Sequence, residues 1–143
     1  MEELLNDAKT YIKEEDISVL RDFLDFNLSS QKALYFYGRG NNGKSTLLKK
    51  IEKYLNGNFC YFCGSINSTG FSDKNFIIFN EYTPKECDSS LKQLLGSDPI
   101  YVRAPFSKRK LIDQPLKILV VGNDHLSPTI NARVKTIEFI NVF

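Results

Sequence analysis

Three cysteines are all that the 143 residues contain, too few and too unevenly spaced for a disulfide framework. Cys60 and Cys63 form a C-x-x-C pair, but Cys87 and the one histidine, His125, lie far along the chain. A zinc site would need all four to converge, with no second paired motif to hold two of the ligands together. The pair lies within Phe59–Cys63, an apolar stretch that reads as a buried strand, where free cysteine behaves as a small hydrophobe. Long hydrophobic runs are missing as well. Ile118-Leu119-Val120-Val121 is the longest run of any relevance to a membrane, against the ~20 residues that a spanning helix needs. The start, Met1-Glu2-Glu3-Leu4-Leu5, is acidic and lacks the basic-then-apolar layout of a secretory signal. No internal repeat or low-complexity segment stands out. These absences lead to the expectation of a soluble intracellular protein with one hydrophobic core.

What is present is unevenly distributed. The net charge is +2, yet residues 1–30 hold eight acids against three bases, a net of −5, so the remaining residues carry +7. A basic body suits a polyanionic partner, although a solvated surface has the same composition. Within residues 1–30, Leu4, Leu5, Ala8, Tyr11 and Ile12 recur at helical spacing, as do Ile17, Leu20, Phe23 and Leu24. Asp16 is placed to cap the second helix, and Asn27 to Ser30 supplies the break after it.

From residue 33 the pattern changes to short apolar strands alternating with helices. The strands are read at Ala33–Tyr37, Phe59–Cys63, Phe76–Phe79, Lys117–Val121 and Lys135–Ile140. A helix is read over Lys44–Leu55, with Leu47, Leu48, Ile51, Tyr54 and Leu55 on one face and Asn56-Gly57 as its stop. A shorter helix is read from an Asp88 cap to Leu95, closed by Gly96. Apolar strands separated by helices predict an α/β fold whose mostly parallel five-stranded sheet is covered on both faces. The domain reading is a helical segment over 1–30 followed by a core over 31–143.

Gly38-Arg39-Gly40-Asn41-Asn42-Gly43-Lys44-Ser45 satisfies G-x-x-x-x-G-K-[ST], and Thr46 follows it. The motif sits between a predicted strand and a predicted helix, where its mechanism requires it. Glycines let the backbone turn so that N–H groups point inward around phosphate, and the helix dipole adds to that attraction. Lys44 is then the cation for the β- and γ-phosphates and Ser45 the hydroxyl for Mg²⁺. Hydrolysis also needs a group that orients water. Phe76-Ile77-Ile78-Phe79 ends in Asn80-Glu81, at the carboxyl end of a strand where ligands of open α/β sheets gather. Glu81 is the candidate general base and a second group for Mg²⁺. Lys117 to Val121 leads into Gly122-Asn123. An amide there can bond both phosphate and water without adding charge, and an Asn after Gly also serves as a plain turn former.

Taken together, these residues resemble the ATPase domain of superfamily 3 helicases, and within them the primase–helicases of large DNA viruses, phages and plasmids, the poxvirus-like branch. Residues 38–46 match the G-x-G-x-N-G-K-S-T form of Walker A in that branch, and Glu81 matches its Walker B glutamate. Leu91 to Arg103 is similar to its B′ segment, with Ser97 in place of a second glycine. Asn123 matches motif C, and Ile130 to Phe139 resembles the segment that carries the arginine finger, here Arg133. Asn80 departs from the pattern, standing where many such proteins have a first acid.

The resemblance implies an AAA+-like P-loop NTPase that binds ATP and Mg²⁺ and acts on single-stranded nucleic acid, DNA by preference, during replication. It implies a hexameric homo-oligomer with ATP between subunits, no membrane association, and a separate primase as partner; a viral protein of this kind would work in the host cytoplasm or nucleus. It also implies that the excursion between the B′ segment and Asn123 projects into the central channel. There Lys108, Arg109 and Lys110 beside Phe106 are positioned to pair with phosphates while the ring stacks on a base. On the residues alone, a run of three charges also describes a solvated turn, and Arg133 also describes a surface residue before a strand. Two other functions stay open: a nucleotide-dependent binding or assembly module with little turnover, and a P-loop small-molecule kinase.

Overall fold

A computed structural model describes residues 1–26, 31–39, 42–64, 74–96, 100–102, 110–112 and 115–140. Among them are helices α1 (Glu2–Ala8), α2 (Glu14–Leu24), α3 (Lys44–Leu55), α4 (Pro84–Leu95) and α5 (Pro128–Asn131). The strands are β1 (Ala33–Tyr37), β2 (Phe59–Tyr61), β3 (Phe76–Phe79), β4 (Ile100–Val102), β5 (Lys110–Ile112), β6 (Lys117–Gly122) and β7 (Lys135–Glu138). Five of them form one parallel sheet in the order β2-β3-β6-β1-β7, while β4 and β5 pair antiparallel as a separate hairpin.

The side-chain alternation of the strands divides the core in two. Leu34 and Phe36, Phe76 and Ile78, and Leu119 and Val121 face a cluster built from α1, α2 and α3. Ala33 and Tyr35, Ile77 and Phe79, and Ile118 and Val120 face a second cluster that includes Cys87, Leu91, Leu94 and Ile130 of α4 and α5. Both faces are therefore covered, which explains why the central strands read as continuous apolar runs. Fully buried side chains such as Leu20, Leu47 and Ile77 each contribute about 1.5–3 kcal/mol relative to exposure. The five-stranded α/β architecture expected from the sequence is the one observed.

Several local expectations are corrected. The second helix begins at Glu14 with Lys13 at its N-cap, so Asp16 lies inside the first turn and not at the cap. Asp16 is buried, and desolvation raises its pKa above the usual carboxylate value, with Lys135 opposing. The first helix ends at Ala8, which leaves Tyr11 and Ile12 in the connector. Helix α4 starts four residues before Asp88, because Pro84 occupies N1, a position that suits its fixed φ and missing N–H. Asp88 instead accepts a hydrogen bond from the Tyr82 hydroxyl. Tyr54 is 38% exposed rather than part of the buried face of α3. The strand expected over 59–63 ends at Tyr61 and is only half-buried, because it is the edge strand. The last strand ends at Glu138, and Phe139 turns to bridge Ile12 in antiparallel sense. The predicted stop of α3 is seen at Asn56, which adopts the left-handed conformation. The break at Asn27 to Ser30 lies outside the described residues.

Candidate nucleotide site

The parallel register brings three chain segments to one edge of the sheet. Tyr37 pairs with Gly122, so the residues that follow them, Gly38 and Asn123, leave adjacent strands at the same level. On the other side of β6, Phe79 pairs with Val120, and the Tyr82 N–H bonds the Val121 carbonyl at 2.8 Å. Glu81 lies between those two pairing points, about two strand spacings, roughly 10 Å, from β1.

Helix α3 begins directly after Gly43, whose φ of 88° is accessible to glycine at no steric cost. Its first turn has no side-chain cap, so its N–H groups and dipole are available to an anion. Lys44 is 8% exposed, and its ammonium donates to the Gly38 carbonyl and to Asn123 Oδ1. Both acceptors are neutral, and among the described residues no carboxylate pairs with Lys44. Burial accordingly lowers its pKa from the ordinary lysine value. Asn42 is 2% exposed, and its side-chain oxygen has no hydrogen-bond partner among the described residues. A Cβ at Gly38 would overlap the Asn42 amide nitrogen, so a larger residue there would force Asn42 to shift. The loop therefore presents an uncompensated buried cation, an orphaned amide oxygen and an uncapped helix start. Together these groups are electropositive and suit a polyanion.

Glu81 is exposed and has φ of 57°. A non-glycine residue in that region is strained, and such strain concentrates at functional positions. Asn80 stabilises it locally: its Oδ1 accepts the Glu81 N–H at 3.0 Å. The Asn80 side chain is thus committed to the backbone of the residue that follows it. Ser45 and Thr46 are exposed on the first turn of α3, and Arg39 is exposed just after β1. Gly40 and Asn41 lie outside the described residues.

Arg133 is elsewhere. It precedes β7, whose first residue Lys135 pairs with Leu34 near the start of β1, so it lies at the amino ends of the strands, opposite Lys44. Its guanidinium donates to the Leu95 carbonyl at the end of α4 at 3.2 Å, and it lines a small hollow with Lys92, Leu95, Thr129 and Ile130. The segment holding Phe106, Lys108 and Arg109 lies outside the described residues, while Lys110 opens β5, the return strand of the hairpin. The Cys60 thiol faces the Phe76 carbonyl and Cys63 is exposed, and no metal-binding group of ligands forms among the described residues.

Sequence reading missed two features of this edge. The Tyr35 hydroxyl donates to the Asp124 carbonyl at 2.5 Å, bracing the turn that carries Asn123 from below; burial, with Asp124 and Tyr37 nearby, pushes the Tyr35 pKa well above its usual value. Tyr11 lies against Gly43. A tyrosine in a core strand and one between two helices carry no periodic signal that separates bracing from packing.

A family model described as a family of unknown function (DUF5906) matches residues 36–134. The chain belongs to that family. The matched region of this DUF5906 member runs from β1 through α5. No curated protein matches the sequence. Among solved structures, the apo C-terminal region of NrS-1 superposes with a TM-score of 0.69 at 16% identity, covering 98% of this chain and 37% of that one. JCV helicase superposes with a TM-score of 0.59 at 16% identity, covering 90% of this chain and 41% of that one. At such identities the likeness establishes a shared helicase-like α/β fold. The DUF5906 chain thus spans well under half the length of either neighbour. No helix among its described residues is long and apolar enough to cross a membrane.

Proposed function

We propose that this DUF5906 member is an ATP-hydrolysing translocase or helicase of the superfamily 3 type, acting on single-stranded nucleic acid. The observation that carries the reading is the buried Lys44 ammonium, held by Gly38 and Asn123 with no carboxylate beside it among the described residues. A buried cation without a counter-charge is costly, and a bound polyphosphate is what would offset that cost.

The residues fit ATP with Mg²⁺. The orphaned Asn42 oxygen, the Lys44 cation and the open first turn of α3 suit the phosphates, and Ser45 and Glu81 supply oxygen donors for a hard divalent ion. When bound, Mg²⁺–ATP supplies the phosphoanhydride to be cleaved and a metal that neutralises its charge. Glu81 accepts the proton of the attacking water, and Asn123, already on the Lys44 ammonium, holds water and phosphate in line. Arg133 lies too far along the strands to serve its own loop, which supports its action on the loop of a neighbouring copy in a ring. The β4–β5 hairpin supports the placement of Phe106, Lys108, Arg109 and Lys110 on a projection that contacts the single strand. The JCV helicase likeness favours a helicase over a small-molecule kinase. The commitment of Asn80 to the Glu81 backbone, which leaves one acid for the metal, favours a second reading: an assembly module gated by nucleotide with little turnover.

The reading is tested by equilibrium ATP binding in the presence of Mg²⁺, together with the native mass of the loaded protein. Wild type should bind and assemble, while Lys44→Ala should lose at least tenfold in affinity, consistent with removal of a buried charge-assisted contact worth about 1.5–3 kcal/mol. Equal binding by both proteins would remove the basis of the assignment.

A further inference from the structure

The glycines at the two ends of the loop, Gly38 and Gly43, each lie near one member of an aromatic pair. A Cβ built on Gly43 would overlap the Tyr11 ring, so the ring lies close against the backbone from which α3 begins. A Cβ built on Gly38 would come within 3.2 Å of the Phe139 Cβ. Tyr11 and Phe139 in turn stack on each other, with centroids 6.4 Å apart and planes 27° from parallel. The backbone ties this pair together independently of the rings. Ile12 bridges Phe139, the Ile140 N–H donates to the Tyr11 carbonyl at 3.2 Å, and the Tyr11 N–H donates to the Ala8 carbonyl at 2.9 Å.

We propose that Tyr11 is a positioning residue of the nucleotide site, making the connector between α1 and α2 part of the phosphate-binding apparatus. The physical argument concerns Gly43. A glycine with φ of 88° has little intrinsic preference for that conformation over others, so the unsupported loop samples alternatives and its inward N–H pattern is diluted. The ring removes those alternatives by occupying the space into which Gly43 would relax. Its neighbour Phe139 fixes the ring, and the α1–α2 connector fixes both to the end of β7. Pre-organisation of this kind raises affinity without any contact to the ligand. The inference rests on the ATP reading above for its ligand, but not for its structural content.

The experiment compares wild type, Tyr11→Ala, Tyr11→Phe and a control, Leu5→Ala, which truncates a buried α1 residue in the same cluster. Two quantities are read: affinity for a fluorescent ATP analogue with Mg²⁺, and amide hydrogen exchange over residues 42–48 in the nucleotide-free protein. Tyr11→Ala should weaken affinity on the order of tenfold, a modest share of what a misplaced site can lose, and should accelerate exchange in the loop and first turn of α3. Tyr11→Phe, which keeps the ring, should match wild type in both. Leu5→Ala should lower the melting temperature with neither effect. If Tyr11→Ala does not fold, Tyr11→Leu, which keeps apolar bulk without the flat face, carries the same comparison. Wild-type affinity and exchange in the truncated protein would overturn the proposal, as would equal effects from Leu5→Ala. If wild type binds no nucleotide, the functional reading fails, and the exchange measurement alone still decides whether Tyr11 orders the loop.

Discussion

Replacing Glu81 by glycine should make the protein more stable and inactive at once. Glu81 has φ of 57°, and a side-chain-bearing residue in the left-handed region costs about 1–2 kcal/mol. Glycine removes that cost but adds about 0.5–1 kcal/mol of unfolded-state entropy. The net gain is therefore about 0–1.5 kcal/mol, and the 3.0 Å bond from the residue-81 N–H to Asn80 Oδ1 is a backbone contact that survives the change. For a chain of this size each 1 kcal/mol corresponds to a rise in Tm of about 2–5 °C. Glu81→Gln keeps the strain and should melt near wild type. Both variants lose the carboxylate, so both should lose turnover while retaining ATP binding. Thermal melts of the three proteins, paired with steady-state hydrolysis, test the strain and the chemistry separately. A Glu81→Gly protein that melts at or below Glu81→Gln would refute the strain argument. One that hydrolyses ATP normally would refute the role of Glu81 as base.

Further outcomes follow from the same geometry. Burial lowers the Lys44 pKa, so between its folded value and the ordinary 10.5 the unfolded chain binds more protons and stability rises with pH. Wild type should therefore gain stability relative to Lys44→Met as the pH rises toward 10.5, read from denaturant midpoints; parallel curves would show that the ammonium is not desolvated. Inactive Lys44→Ala and inactive Arg133→Ala subunits, mixed in equal amounts, should recover up to about a quarter of wild-type hydrolysis, since that share of head-to-tail interfaces pairs an intact loop with an intact finger. A fully active Arg133→Ala protein would show instead that its bond to Leu95 is its whole role. Alanine at Lys108, Arg109 and Lys110 should weaken single-strand binding and flatten its salt dependence while leaving basal hydrolysis intact; an unchanged salt titration would contradict the placement.

The sequence was most legible where periodicity and motif act over consecutive residues. The strands at 33–37 and 76–79 and the helix at 44–55 lie where they were expected, because continuous apolar runs and a sharp glycine-rich entry leave little freedom. It was least legible where a side chain works across the fold. Asp16 and Asp88 look like caps, yet Lys13 and Pro84 start those helices. Tyr11 fits a helical face by spacing, but its helix ends three residues earlier and the ring meets Gly43, 32 positions on. The meeting of Lys44 with Asn123 depends on the β1–β6 register, which the order of motifs suggests but does not specify. Glu81 stands out by type, and its left-handed backbone is visible only in three dimensions.

The central claim is that this loop and this glutamate hydrolyse ATP for work on a single strand. The direct test is the Mg²⁺-dependent ATPase rate of wild type and Glu81→Gln, each measured with and without single-stranded DNA. The account predicts wild-type hydrolysis that the single strand accelerates, and no hydrolysis in either condition by a Glu81→Gln protein that still binds ATP. A wild-type protein that binds ATP without turning it over, or a Glu81→Gln protein with the wild-type rate, would contradict it.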